Sequence, residues 1–200
     1  MVTEFTHNSK TLAIINLNRI PATSSKGPRC CITQYNIAKG TSKNNTQYRK
    51  EILKQIKEYI QIKNFNDIII SGDYNQNIAA NEIKQFYREI GVKDMHSTIN
   101  HIEISQMDNT NVKGSYPIDS IAASSEISEY IEGCQMVDHN EIIYIDHRGY
   151  MVDINLEDYF NDQMSYWNEN HKVIINPSRR SHRERFVEII DNKIYIYQLN

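Results

Sequence analysis

Three consecutive isoleucines, Ile68-Ile69-Ile70, run straight into Ser71-Gly72-Asp73-Tyr74-Asn75. A β-branched run closed by turn formers reads as a buried strand, and a buried strand needs other elements to cover it. Similar runs recur, so strands are predicted over residues 12–17, 30–36, 67–71, 118–123, 141–145 and 150–154. Amphipathic stretches alternate with them. The clearest helix covers residues 46–63, with Thr46 as its N-cap and Tyr48, Ile52, Ile56, Tyr59 and Ile60 on one face. Lys50, Lys54 and Lys57 then fall on a solvated face. A second helix spans residues 80–90, closed by Gly91, and a third, basic one spans residues 178–190. Strands followed by helices and then hairpin-like pairs point to a layered α/β (α+β) sandwich. No internal repeat or Gly-, Ser- or Pro-rich linker divides the chain, and residues 108–116 read as one long polar loop.

Composition removes several function classes. A chain of 200 residues can bury a core without metal or disulfide staples, and 40% hydrophobic with 24% charged residues excludes wholesale disorder. A formal net charge of -3 excludes coating of nucleic acid by bulk charge, so any such site must be local. The apolar runs are too short to cross a bilayer, and Met1-Val2-Thr3-Glu4-Phe5 carries no secretory signal. Cys30, Cys31 and Cys134 form no C-x-x-C pair, which supports neither a disulfide framework nor a zinc knuckle. The expectation is an intracellular protein with buried thiols and no membrane partner.

Three clusters carry candidate chemistry. In Gly72-Asp73-Tyr74-Asn75 a carboxylate and an amide sit two residues apart at a strand's C-terminal end, where α/β proteins build sites. The carboxylate can align or deprotonate a water and the amide can donate to a phosphoryl oxygen; a plain strand-end turn is the alternative. Asp119 lies inside an apolar strand pattern, between Pro117-Ile118 and Ile121-Ala122-Ala123, and needs a partner. That partner is an arginine, backbone amides or a histidine. Asp146-His147-Arg148-Gly149 supplies a histidine beside a carboxylate at a strand end; Asp138-His139 is a rival, in a more polar turn. His96, His101 and Glu103 match no metal-ligand spacing. Arg179, Arg180, His182, Arg183 and Arg185 form a basic segment, either a charged helix face or a set of phosphate contacts.

Taken in order, Ile32-Thr33-Gln34-Tyr35-Asn36, Gly72-Asp73-Tyr74-Asn75, Ile118-Asp119 and Asp146-His147 resemble the endonuclease/exonuclease/phosphatase superfamily. That superfamily includes apurinic endonucleases, DNase I-like enzymes and nuclease domains of non-LTR retrotransposons. The resemblance covers residues 12–160. Thr46-Gln47-Tyr48, Ile90-Gly91-Val92-Lys93-Asp94-Met95-His96, Asp146-His147-Arg148-Gly149 and Asn176-Pro177-Ser178-Arg179-Arg180 look most like the retroelement nucleases.

The resemblance implies a four-layered, DNase I-like sandwich of two sheets with outer helices. It also implies a Mg²⁺ or Mn²⁺ phosphodiesterase site acting on DNA. On it, Asp73 would activate the water, Asn75 and Tyr35 would contact the phosphate, and His147, oriented by Asp119, would stabilise the phosphoryl oxygens. Asp146 would lie at the metal, and Arg148, Arg179, Arg180 and Arg183 would meet nucleic acid. Residues 1–160 would form the superfamily-like domain and residues 161–200 a basic C-terminal extension.

One departure accompanies the match. The superfamily's first-strand asparagine and its metal-binding glutamate have no counterpart here, since Glu4 precedes the first predicted strand. The domain is therefore expected to lack its N-terminal strands, with another chain covering the exposed edge. Two other functions follow from the same residues: a non-catalytic relic or interaction module, and a phosphatase acting on a small phosphoester.

Overall fold

The computed structural model describes residues 1–20, 31–139 and 146–161. At its centre is β3 (Asp67–Asp73), the strand that carries the isoleucine run. Ile68, Ile69 and Ile70 are 4%, 2% and 0% exposed, so both faces of the strand are covered. The period of two along a strand sends them to different cores. Ile68 and Ile70 join Leu53, Ile83, Phe86 and Tyr87 on one side; Ile69 joins Met95, Ile127, Tyr159 and Phe160 on the other.

β3 sits in a five-stranded sheet with β1 (Val2–His7), β2 (Lys10–Asn18), β4 (Val92–Asp94) and β5 (Asp119–Ser124), in the order β1-β2-β3-β5-β4. β2 and β3 run parallel, with Leu17 opposite Gly72 and Asn18 opposite Asp73; β3 and β5 run antiparallel. A second sheet pairs β6 (Ile131–Val137) with β7 (Gly149–Ile154), and its Ile131, Cys134 and Val152 pack into the Ile69 core. The result is the expected α/β sandwich of two sheets.

The parallel β2–β3 pair needs a crossover. Helix α1 (Cys31–Lys39) and helix α2 (Asn45–Lys63) lie within it. The strand predicted over residues 30–36 is thus corrected to a helix. β2 and β3 pair directly over seven registers, which leaves no slot between them for another strand. Within α1 only Ile32 is buried among the residues whose side chains are described, so its β-branched residues fill no sheet face. Asn36 closes the following turn, its amide accepting from Thr41 Oγ1 and Lys43 N and donating to the Lys43 carbonyl.

The N-cap of α2 is Asn44 rather than Thr46. Its side chain accepts from Gln47 N at 2.9 Å while Gln47 Oε1 accepts from Asn44 N at 3.0 Å, a reciprocal box that satisfies two free donors. Helix α3 (Asn81–Ile90) ends as predicted on Gly91, at φ 72°. Three shorter helices follow: α4 (Met95–Asn100), α5 (Ser125–Ser128) and α6 (Leu156–Phe160). Strands predicted over residues 12–17, 67–71, 118–123 and 150–154 correspond to β2, β3, β5 and β7. The strand over residues 141–145 and the helix over residues 178–190 lie outside the described residues. No helix among the described residues is long and apolar enough to cross a membrane.

Candidate active site

β3 needs a glycine at position 72 because another backbone lies against it. A Cβ there would stand 1.8 Å from the Leu17 carbonyl oxygen, and φ is +137°, a conformation open to glycine. The strand stays paired through Gly72 and Asp73, opposite Leu17 and Asn18. Arg19 N donates to the Asp73 carbonyl at 2.8 Å and Tyr74 N to the Ile118 carbonyl at 2.8 Å, pinning the exit of β3 between β2 and β5.

Asp73 and Asp119 are register partners across β3 and β5. Like charges directly opposite in a sheet repel, so the pair needs hydrogen-bond donors, a proton or a cation. Donors come from two places. Asn75, at φ 48°, curls back to give its backbone N–H and its Nδ2 to the two Asp73 oxygens, both at 2.6 Å. The second Nδ2 hydrogen goes to the Arg19 carbonyl at 2.5 Å. On the other side His147 Nδ1 meets Asp119 Oδ2 at 2.8 Å, the functional partner expected for the buried carboxylate. The backbone that carries Asp119 is itself seated, since Thr110, 0% exposed, accepts from Ile118 N and Asp119 N through one hydroxyl at the start of β5.

Ligand atoms of Asp73, Asp119 and His147 lie within 4.8 Å of one another. Oxygen donors at this spacing suit a hard divalent cation such as Mg²⁺ or Mn²⁺. The carboxylates are the available ligands, since both imidazole nitrogens already have partners: Asp119 on Nδ1 and Asn111 Nδ2 on Nε2, at 2.9 Å. Asp146, expected at the metal, is exposed and stands outside this group.

The local fields move two groups. Burial raises the Asp73 carboxyl, with a further push from Asp119, against the Asn75 hydrogen bonds and the attraction of His147. Burial acts to lower His147, but the Asp119 hydrogen bond and the charges of Asp119, Asp73 and Asp146 together lift it above its ordinary value.

Behind the Asn75 turn lie two arginines that sequence reading missed. Arg19 is 1% exposed and gives Nε to the Arg49 carbonyl, with its two terminal nitrogens on Gln76 and Glu82. Arg49, 7% exposed, donates to the Asn75 carbonyl at 2.9 Å and to Gln76 at 3.1 Å. The two buried cations share the Gln76 side-chain oxygen, and Arg19 also pairs with the Glu82 carboxylate at 3.1 Å. In sequence both arginines looked like ordinary charged residues, one beside a strand and one on a helix.

Other expected contacts fall elsewhere. Tyr35 is on helix α1, not at a strand end; its ring lies 4.8 Å from that of Tyr48 and its hydroxyl accepts from Gln55 at 3.2 Å. Arg148 is held by Asp108 at 3.2 Å and Asp138 at 3.5 Å, with its side chain 19% exposed. Asp138 of the rival Asp-His step thus serves Arg148, and His139 makes no described side-chain hydrogen bond. Glu4 sits on exposed β1, bonded to Tyr59 at 2.7 Å and paired with Lys63 at 3.3 Å. Arg179, Arg180 and Arg183 lie outside the described residues.

No protein-family profile and no curated protein sequence matches this chain. Solved structures do. An AP endonuclease from Archaeoglobus fulgidus superposes with a TM-score of 0.51 at 16% identity, over 77% of this chain and 65% of that one. The AP endonuclease LMAP from Leishmania major gives 0.50 at 13% identity, over 77% and 54%. The endonuclease domain of TRAS1, a telomere-specific non-LTR retrotransposon, gives 0.46 at 16% identity, over 78% and 63%. The two AP endonuclease likenesses give this chain the DNase I-like fold expected from its motifs, and it spans 65% and 54% of the lengths of those two proteins.

Proposed function

We propose that the chain is a divalent-metal-dependent phosphodiesterase acting on nucleic acid, with DNA as the first substrate to test. The convergence of Asp73, Asp119 and His147 at adjoining strand ends carries this reading. Asp73, raised by burial and fixed by Asn75, aligns the attacking water and takes its proton. Asp119 holds the imidazole of His147 through Nδ1, so that the ring faces the negative charge growing on the phosphoryl oxygens. A Mg²⁺ or Mn²⁺ ion held by the carboxylates would stabilise that charge and the departing oxygen. Asn75 spends both amide hydrogens inside the protein, so its part is to orient Asp73 rather than to contact phosphate.

Two of the similar solved structures are AP endonucleases, which supports DNA over a small phosphoester. The Asp146-His147-Arg148-Gly149 and Asn176–Arg180 phrases favour a retroelement-type DNA endonuclease. Residues 1–160 carry this site, and Arg179, Arg180 and Arg183 in residues 161–200 add contacts to the nucleic-acid backbone.

Supercoiled plasmid incubated with the purified chain and Mg²⁺ tests the reading, beside EDTA and Asp73→Ala controls. Nicking that requires both the metal and Asp73 supports it; folded protein that leaves the plasmid intact overturns it. A second reading, a nucleic-acid or protein interaction module, is favoured by β1, whose six residues are all exposed at one end of the sheet order. Salt-dependent DNA binding without nicking would select it.

A further inference from the structure

Asn111 and His147 form an isolated antiparallel bridge between the polar loop and the residue pair leading into β7. Val112 N donates to the Asp146 carbonyl at 2.9 Å and Arg148 N to the Thr110 carbonyl at 2.7 Å, so these bonds flank the two residues. Asn111 and His147 are thus a non-hydrogen-bonded pair, the type whose side chains approach most closely. Asn111 Nδ2 duly reaches His147 Nε2, at 2.9 Å.

The amide's orientation is fixed from its other end. Oδ1 accepts from Lys113 N at 2.9 Å, so Nδ2 is the atom left to meet the imidazole. Lys113 and Gly114 continue a tight turn there, with Gly114 N and Asn109 Nδ2 both donating to the Asn111 carbonyl. Nδ2 carries two hydrogens. One points to His147 Nε2, and the second has no acceptor among the described residues. Asn75 offers no such hydrogen, because both of its Nδ2 hydrogens are taken by Asp73 and the Arg19 carbonyl.

We propose that Asn111 contacts the substrate: its Nδ2, seated against His147 Nε2 beside the two carboxylates, donates to a non-bridging oxygen of the phosphodiester. This rests on the phosphodiesterase reading and adds to it the amide donor that Asn75 does not supply. A phosphoryl oxygen beside the ring takes the second Nδ2 hydrogen, while the first stays on Nε2. No bond is made or broken by Asn111; it stabilises charge.

The test uses the full 200-residue chain, with the Asn111→Ala and Asn111→Asp variants. The aspartate keeps an acceptor for Lys113 N and loses the donor, which separates donation from loop structure. Wild type and variants hydrolyse thymidine 5′-p-nitrophenyl phosphate and the Rp and Sp forms of its phosphorothioate analogue, with Mg²⁺. Loss of one such donor should lower kcat about 100-fold in both variants. Wild type should discriminate between the two phosphorothioates, and the variants should lose that discrimination. Equal slowing of both diastereomers in the variants, with discrimination retained, would overturn the proposal, as would wild-type kcat in Asn111→Asp.

If wild type hydrolyses nothing, the phosphodiesterase reading fails by itself. Binding then decides the inference. Addition of thymidylyl-thymidine should shift the Asn111 side-chain amide signals in an ¹⁵N spectrum while those of Asn75 stay in place. Unmoved Asn111 signals at saturation, or no binding at all, would overturn it.

Discussion

Asp73 and Asp119 stand directly opposite each other where β3 leaves the sheet, and His147 donates to only one of them. That asymmetry divides the labour. Asp119 is occupied with a ring nitrogen, whereas among the described residues the Asp73 carboxylate is held only by Asn75 and keeps lone pairs for a water or a cation. Asp119→Asn should therefore lower nicking by about 100-fold or more by releasing His147, at the lower end of what general acid–base groups contribute. Comparison of kcat for the variant and wild type checks it, with plasmid affinity expected to change little.

The pH profile follows from the two shifted groups. Activity needs Asp73 ionised, and its carboxyl is raised, so the acid limb should lie above the ordinary 3.8. The imidazolium form of His147 persists past 6.5, so the alkaline limb should lie above that value. Stability responds with one sign. Both groups hold a proton more tightly folded than unfolded, so the stabilisation is full below 3.8 for Asp73 and below 6.5 for His147. It is lost as pH rises through each folded value. Urea midpoints measured from pH 4 to 9 should fall with rising pH if these two groups dominate, and His147→Gln should flatten the upper part.

Asp73→Asn separates the metal from the fold. Relief of like-charge repulsion is offset by an amide nitrogen turned on one of the Asn75 donors, so metal-free stability should change by less than about 1 kcal/mol. The same change should abolish the increase in melting temperature that Mn²⁺ gives the wild type. Calorimetric scans with and without Mn²⁺ read both effects at once; a variant that still gains from Mn²⁺ would place the cation elsewhere.

Gly72→Ala should destabilise the chain by ~4 kcal/mol, because a positive-φ penalty combines with a methyl forced onto the Leu17 carbonyl. Denaturant melts of the purified variant, or its loss from the soluble fraction, report it.

How much of this was legible in sequence differs from residue to residue. Ile68-Ile69-Ile70 announced a buried strand because burial and β-branching are local properties. Asp119 signalled its own need for a partner, and His147 answers it. The segment around Tyr35 misled because its Ile and Thr residues carry strand preference, while its helix is set by the direct pairing of β2 with β3. Asn111 was invisible for a different reason. Its position against His147 comes from an antiparallel bridge between residues 36 apart, inside a loop whose composition reads only as polar. Arg148 looked available for phosphate, and only the fold revealed Asp108 and Asp138 around it.

Thr110 draws the two ends of a loop together on a single hydroxyl, with Ile118 N at 2.9 Å and Asp119 N at 3.0 Å. The Pro117 and Ile118 carbonyls add to this clasp by accepting from Ile78 N at 3.1 Å and Tyr74 N at 2.8 Å, and before them Gly114, Ser115 and Tyr116 form an exposed tip. A segment anchored at its base in this way behaves as a cassette: its tip can be lengthened, shortened or exchanged without moving Asp119. Inserting a few residues between Gly114 and Tyr116 is thus the natural route by which a scaffold of this kind would acquire a new substrate preference, in a library or in a lineage.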